Sequence, residues 1–186
     1  MNQRVFIAVN LPKNQRSLLV QLLSQLKKIN SSPLIKYVEP KNIHLTLHFL
    51  GDLTPDQIEA VKKVSDQTVK NYPAEQLLTG AINGFPNLRQ PRVIFLETKT
   101  TPKNNLINLQ KALGQKLQSL GLEIDPRPWR AHLTLARIKG PIDFKKPESP
   151  PPVLNIPITN VALMASQLQS SSPKYTVLSQ YQLSYG

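Results

Sequence analysis

The tetrapeptide HLTL occupies residues 44–47 and again residues 132–135, in a chain of 186 residues that has only three histidines. In a β-strand, residues two apart share a face, so His44 and Thr46 project together while Leu45 and Leu47 point the other way; His132, Thr134, Leu133 and Leu135 repeat the pattern. Each copy therefore offers an apolar face for packing and a polar face with one imidazole and one hydroxyl. Burying four such polar groups in a closed core would cost about 1–3 kcal/mol each unless they were hydrogen-bonded. Lining a shared cleft removes that cost and gives the duplication a chemical purpose. Imidazole exchanges a proton near neutrality, with an ordinary pKa of about 6.5. A pair of them can take a proton from an attacking oxygen and give one to a leaving oxygen on opposite sides of a phosphoryl centre. The threonine hydroxyls can donate to the non-bridging oxygens, where charge collects in the transition state.

A lone histidine on a strand is ordinarily structural; the repetition and the scarcity of histidine carry the functional reading. His48 continues the His44 face by strict alternation and is expected at the surface near the cleft, but its counterpart in the second copy is Ala136, so it lies outside the duplication. The stretch HLTLH also spaces two imidazoles four apart, as a zinc-binding helix does. In a strand that pair lies about 13 Å apart, too far to hold one ion.

The rest of the composition narrows the chemistry. With no cysteine, a disulfide framework, a cysteine zinc site and a thiol nucleophile are all excluded. Twenty-three Lys and Arg against eleven Asp and Glu give a formal net charge of +12, a field that draws in polyanions, nucleic acid foremost; solubility alone also accounts for such a balance. The hydrophobic fraction of 40% suits a folded protein. The apolar run in MNQRVFIAVNLPKNQR is too short for a signal peptide and SLLVQLLSQL is interrupted by polar residues, so a cytoplasmic protein is expected. No oligomerisation signature appears, and a monomer is expected.

Several elements must position the two motifs. RVFIAVNL (4–11) reads as a strand, followed by a helix with Leu19, Leu22, Leu23 and Leu26 on one face. A second helix is announced by a capping box, Thr54 with Gln57 and Pro55 in the first turn, and by Ile58, Val61 and Val64 as its buried side. LLTGAINGF and PRVIFLET read as strands. A third helix is expected from Thr101, with Leu106, Leu109, Leu113, Leu117 and Leu120 inside and Gly121 closing it. Residues 139–152 are proline-rich and read as a loop, and LNIPITNVALMAS and YTVLSQYQL read as closing strands. The order suggests two similar halves in one bilobal domain over 1–186, with the motif strands side by side at the centre.

On these residues the chain resembles the RNA 2′,3′-cyclic phosphodiesterase family, also called the 2′-5′ RNA ligase family, of the 2H phosphoesterases, whose signature is a pair of H-x-T/S-hydrophobic motifs. RVFIAVNLP looks like the family's opening strand, HLTLHFLGDL its first motif region, PRVIFLE its mid-chain strand, HLTLAR its second motif and SPKYTVLSQYQL its last strand. The resemblance implies an α+β bilobal fold, with two antiparallel sheets forming a central cleft and helices outside. It implies hydrolysis of ribose 2′,3′-cyclic phosphate to a 2′-phosphate with neither metal nor cofactor, on RNA ends or small cyclic nucleotides and away from any membrane. It assigns His44 and His132 as the acid/base pair, His44 toward the departing 3′ oxygen, with Thr46, Thr134 and Arg137 as phosphate contacts. Arg137 lies five residues from His132, so regular alternation aims it at the wrong face; a β-bulge, a strand end or its long reach must bring it back. Phe49 holds the equivalent place in the first half, as a base-stacking or a core residue. Trp129 and Arg130 are candidates for the cleft rim, and Tyr37 a weaker one. The chain departs from the family in having Ala131 where proline commonly precedes the second histidine, and in lacking the usual acidic and glycine residues in MASQLQSSSPKY. A non-catalytic RNA-binding module and a 2′-5′ RNA ligase using the same site are the alternative functions.

Overall fold

The computed structural model describes residues 1–100, 104–167 and 172–185. The chain runs β1 (Gln3–Asn10), α1 (Lys13–Ile29), β2 (Ile35–Tyr37), a 3-10 turn (Pro40–Asn42), β3 (His44–Leu53), α2 (Pro55–Val69), β4 (Glu75–Phe85), β5 (Val93–Thr100), α3 (Asn105–Ser119), β6 (His132–Ile138), β7 (Asn155–Ile158), β8 (Asn160–Gln167) and β9 (Lys174–Gln182). Two antiparallel sheets form, in the order β3-β1-β8-β9 and β2-β6-β5-β4-β7. This is the expected α+β architecture.

Local chemistry explains the helices. The leucines of α1 at 19, 22, 23 and 26 are all buried, each stabilising the fold by about 1.5–3 kcal/mol. Lys27 and Lys28 in its last turn complement the helix dipole. At the start of α2 the Thr54 hydroxyl accepts from Gln57 N–H at 3.3 Å and the Gln57 side chain accepts from Thr54 N–H at 2.9 Å, the reciprocal capping box. Its buried side is Ile58, Val61, Ser65, Thr68 and Val69, with Val64 only half-buried. The expected start of α3 at Thr101 lies outside the described residues; within them Asn104 is the N-cap, and a carboxylate from β4 reaches it, Glu75 Oε2 accepting from Leu106 N–H at 2.7 Å. Leu120 departs from expectation. It falls just past the helix and is 39% exposed, because the turn at Gly121 (φ 78°) carries it off the buried stripe.

The run LNIPITNVALMAS is not one strand. Its first part, β7, pairs with β4 at the edge of the five-stranded sheet, where Pro157 removes no needed donor; its second, β8, lies between β1 and β9 in the other sheet. The chain thus changes sheets at Thr159. The two halves share a unit, a strand, a helix and an antiparallel return strand that begins with HLTL: β1 and α1 lead to β3, while β5 and α3 lead to β6. The two motif strands belong to different sheets and approach each other without pairing. One large apolar core lies on the helix side of both sheets. On the other face of the four-stranded sheet, Phe6, Ala8, Ala162 and Met164 form a small separate cluster with Tyr175 against it. Among the described residues no helix is long and apolar enough to cross a membrane.

Candidate active site

Both motif strands break alternation at the same place. Along β3 and β1, His48 faces Ile7 and Thr46 faces Ala8, so Leu47 is an extra residue; along β6 and β5, Ala136 faces Ile94 and Thr134 faces Phe95, so Leu135 is the extra one. Each bulge puts two successive residues on the core side, Leu47 with His48 and Leu135 with Ala136, all buried. The next residue then returns to the face of the histidine and threonine. Arg137 joins His132 and Thr134 in this way, and Phe49, 63% exposed, joins His44 and Thr46.

The same bulge overturns the surface placement expected for His48. Its side chain is 5% exposed and turned under the sheet, where Nε2–H donates to the Gln110 carbonyl of α3 at 2.8 Å. Room for the ring comes from Gly114, where a Cβ would lie 3.0 Å from His48 Cε1. His44 and His48 therefore sit on opposite sides of their strand and cannot share an ion. Tyr37 is also away from the cleft: its hydroxyl donates toward the Leu26 and Asn30 carbonyls at 3.0 and 3.3 Å, binding it to α1.

The imidazoles of His44 and His132 are fixed alike. Nδ1 of His44 lies 2.7 Å from the Asn42 carbonyl and Nδ1 of His132 lies 2.7 Å from the Arg130 carbonyl. A carbonyl can only accept, so Nδ1 carries the proton in both rings and Nε2 is the atom left for chemistry. Aromatic rings brace each one: Phe6 and Tyr175 lie 4.9 and 5.3 Å from His44 by centroid, Phe85 and Phe95 5.1 and 5.2 Å from His132. Burial pushes the pKa of both rings below the ordinary imidazole value, the carbonyl bonds oppose this, and the positive charge of Arg137 adds to the lowering in both. His132 itself contributes to the lowering at His44. The guanidinium of Arg137 also acts on Tyr175, whose hydroxyl burial pushes up and the cation pulls back. Arg137 is thus electrostatically coupled to both imidazoles and to Tyr175, and the two imidazoles to each other, although they come from different sheets.

Trp129 joins the sheets. Its Nε1–H donates to the Thr46 carbonyl at 3.0 Å and its ring packs against the core, which ties the segment before β6 to β3 across the cleft. Arg130 is exposed and holds His132 through its main-chain carbonyl. Thr46 and Thr134 are half-buried on the cleft side. Sequence reasoning missed Tyr175, which only the pairing of β9 with β8 brings beside His44, and the rings Phe6, Phe85 and Phe95. A cavity of about 440 Å³ adjoins His44, walled by Asn10 of β1, Arg16 of α1, Lys41 and Asn42 of the 3-10 turn, and Lys174 and Tyr175 of β9. Asn42 helps shape it by donating to the Pro173 carbonyl at 3.0 Å.

The chain is also similar to known proteins over most of its length. The family described as LigT like Phosphoesterase matches residues 9–95. The RNA 2′,3′-cyclic phosphodiesterase of Thermus thermophilus is 30% identical over 189 residues, covering 97% of this chain and 90% of the relative. The protein of the same name from Methanocaldococcus jannaschii is 31% identical over 145 residues, 77% of this chain and 75% of the relative. Among solved structures, E. coli LigT complexed with 3′-AMP superposes with a TM-score of 0.81 at 26% identity, covering 98% of this chain and 99% of the other. With two HLTL strands, alike in how each fixes its imidazole, and this span of similarity, the chain belongs to the LigT-like phosphoesterase family of RNA 2′,3′-cyclic phosphodiesterases.

Proposed function

We propose that this protein hydrolyses ribose 2′,3′-cyclic phosphate at RNA ends, or on small cyclic nucleotides, to the 2′-phosphate. The observation that carries the reading is the matched pair of Nδ1–carbonyl bonds, which leaves two Nε2 atoms for chemistry beside one guanidinium. The cyclic phosphate sits between the rings. Neutral His132 takes a proton from water through Nε2 as the water oxygen bonds to phosphorus, the bond from phosphorus to O3′ breaks, and protonated His44 gives its Nε2 proton to O3′. The product carries a 2′-phosphate and a free 3′-hydroxyl, and the protons return to their starting rings by exchange with solvent. Arg137, with the Thr46 and Thr134 hydroxyls, stabilises the charge that gathers on the non-bridging oxygens.

The assignment of His44 to the leaving group is supported by the position of the cavity. O3′ belongs to the ribose, so the nucleoside must lie on the side of the proton donor, and the open volume adjoins His44. Trp129 and Arg130 act as positioning residues, through the Thr46 and His132 backbone bonds, and Phe49 offers an exposed ring to the base. One chain supplies both imidazoles, so a monomer is a whole enzyme, and its RNA substrates suit a cytoplasmic location. Incubation with a nucleoside 2′,3′-cyclic phosphate in EDTA tests the reaction. Expected is release of the 2′-phosphate that survives chelation, with a bell-shaped pH profile in which one imidazole must be neutral and the other charged. Binding without turnover would replace the enzyme with an RNA-binding module, and loss of activity to EDTA would overturn the metal-free mechanism.

A further inference from the structure

Resting on that reaction, the cavity beside His44 has a feature the hydrolysis does not use. Arg16, Lys41 and Lys174 converge on it from three separate elements, and no acidic side chain is among the described residues that wall it. Arg16 is already oriented: its Nε–H donates to the Leu11 carbonyl at 3.0 Å, so both terminal amino groups remain for a ligand. Lys174 stands at the first position of β9, next to Tyr175. Lys41 is shared, since it pairs with Glu39 at 2.8 Å, and Glu39 in turn accepts from the Ser172 hydroxyl. The first turn of α1 holds no acidic residue either, so the positive end of its dipole adds to the field at the cavity. A volume of about 440 Å³ is that of a small-ligand site. By contrast, the strand neighbour directly opposite His132 is Glu97, and its carboxylate accepts from the Asn83 amide at 2.8 Å. An acidic residue thus stands opposite His132 in the sheet, whereas basic ones wall the cavity at His44.

We infer that this cavity is a second phosphate subsite, which binds the 5′-phosphate of the nucleotide bearing the cyclic phosphate, with Arg16 and Lys174 as the specificity-determining residues. With O3′ at His44, the ribose is the next group into the cavity, and its 5′ oxygen bears the remaining anionic substituent of the terminal nucleotide. The enzyme is accordingly built for ends with a phosphate on the 5′ side, oligonucleotide ends included, in preference to isolated nucleoside cyclic phosphates.

The test compares adenosine 2′,3′-cyclic phosphate with the same compound phosphorylated at its 5′ hydroxyl. The wild-type protein should prefer the 5′-phosphorylated substrate by about tenfold in kcat/KM, the worth of one charge-assisted contact pair. That ratio should shrink severalfold in Arg16→Ala and in Lys174→Ala, hold in Lys63→Ala on the exposed side of α2, and fall as salt is raised. Affinities for adenosine 2′,5′-bisphosphate and adenosine 2′-phosphate repeat the comparison without turnover. Equal kcat/KM values for the two substrates with equal affinities for the two products would overturn the subsite while leaving the reaction standing. A preserved affinity ratio in a protein that hydrolyses neither compound would overturn the reaction and leave the subsite standing. A ratio that survives in both Arg16→Ala and Lys174→Ala would overturn the assignment to these cations.

Discussion

The two HLTL halves agree in what places an imidazole and differ in what surrounds it. Each histidine gives its Nδ1 proton to the carbonyl two residues back, and each strand bulges at the fourth motif residue. Past the bulge they part. The core-facing residue is His48 in one half and Ala136 in the other, and the residue returned to the cleft is Phe49 in one and Arg137 in the other. The bracing rings also come from non-equivalent positions: Phe6 pairs with Phe49 on β3, whereas Phe95 pairs with Thr134 on β6. On the proposed reaction, the duplicated geometry would serve proton transfer, which needs two like groups in opposite protonation states, and the unlike positions would serve binding, which needs one cation at the phosphate and a different surface for the rest of the substrate.

The severest way to break the comparison is to remove either imidazole. His44→Ala and His132→Ala should each lower kcat/KM for a nucleoside 2′,3′-cyclic phosphate by about 10²–10⁴-fold, the usual share of general acid–base catalysis. The double variant should fall little further, because the two rings act in one step. A single variant that kept near wild-type turnover would show the halves to be unequal in the chemistry itself.

Arg137→Gln should come next, with a loss of about 10²–10³-fold, typical of removing one transition-state donor. It carries a second readout. Burial is the main cause of the lowered pKa of both imidazoles and the guanidinium adds to it, so its removal should shift both limbs of the bell-shaped profile modestly to higher pH. A profile that stayed in place would separate Arg137 from the histidines. Phe49→Arg in the Arg137→Gln background should not restore activity, since the cation would then stand in the wrong half.

Much of this was legible before any coordinates. The repeated tetrapeptide, the capping box at Thr54 and the leucine stripe of α1 each follow from spacing alone, and the family resemblance rests on the same residues. Parity left the bulge as one of three ways to bring Arg137 back to the cleft face and gave no sign of it at His48. The bulge fixes Arg137 in the cleft and His48 in the core, and nothing local distinguishes HLTLHF from a regular strand, because the extra residue is set by which neighbours β1 and β5 offer. Tyr175 and the cavity were invisible for a similar reason: the stretch from Asn10 to Arg16, Lys41, and Lys174 with Tyr175 are far apart in sequence and meet only in the fold. LNIPITNVALMAS misled because a strand that changes sheets reads the same as one that does not.

The buried difference between the halves gives a stability test. Gly114 costs α3 about 1 kcal/mol of helix propensity relative to alanine, yet it makes room for the His48 ring. Gly114→Ala should therefore destabilise by about 1–3 kcal/mol in urea unfolding instead of stabilising. In a His48→Ala background the same change should be far milder, since the space it needs is then empty. The pH dependence follows from the sign of the shift. His48 has a folded pKa below its unfolded value, because burial disfavours the charged ring. The unfolded chain binds the proton first, so stability is fully present above about pH 6.5 and is lost as pH falls from there through the folded pKa. His44 and His132, lowered likewise, act in the same direction. His48→Gln should flatten part of that slope, and an unchanged slope would assign all of it to the cleft histidines.

The smallest effect is expected at Phe49, the position that bulge geometry makes equivalent to Arg137. It is 63% exposed, and its ring lies 6.2 Å from that of Phe6 between centroids. Truncation should leave the melting temperature within about a degree or two, as for most surface changes. If the ring stacks on a base, Phe49→Ala should raise KM about fivefold with kcat unchanged, the low end of what one base–aromatic contact contributes. The rise should be larger for adenosine than for uridine 2′,3′-cyclic phosphate, because the purine offers the greater stacking area. Base and 5′-phosphate leave the ribose in different directions, so a base over Phe49 is compatible with a phosphate in the cavity beside His44. A fall in kcat with KM unchanged would instead mean that Phe49 braces Phe6 and, through it, the His44 ring, and the two positions past the bulge would then divide into one that holds the substrate and one that holds the acid.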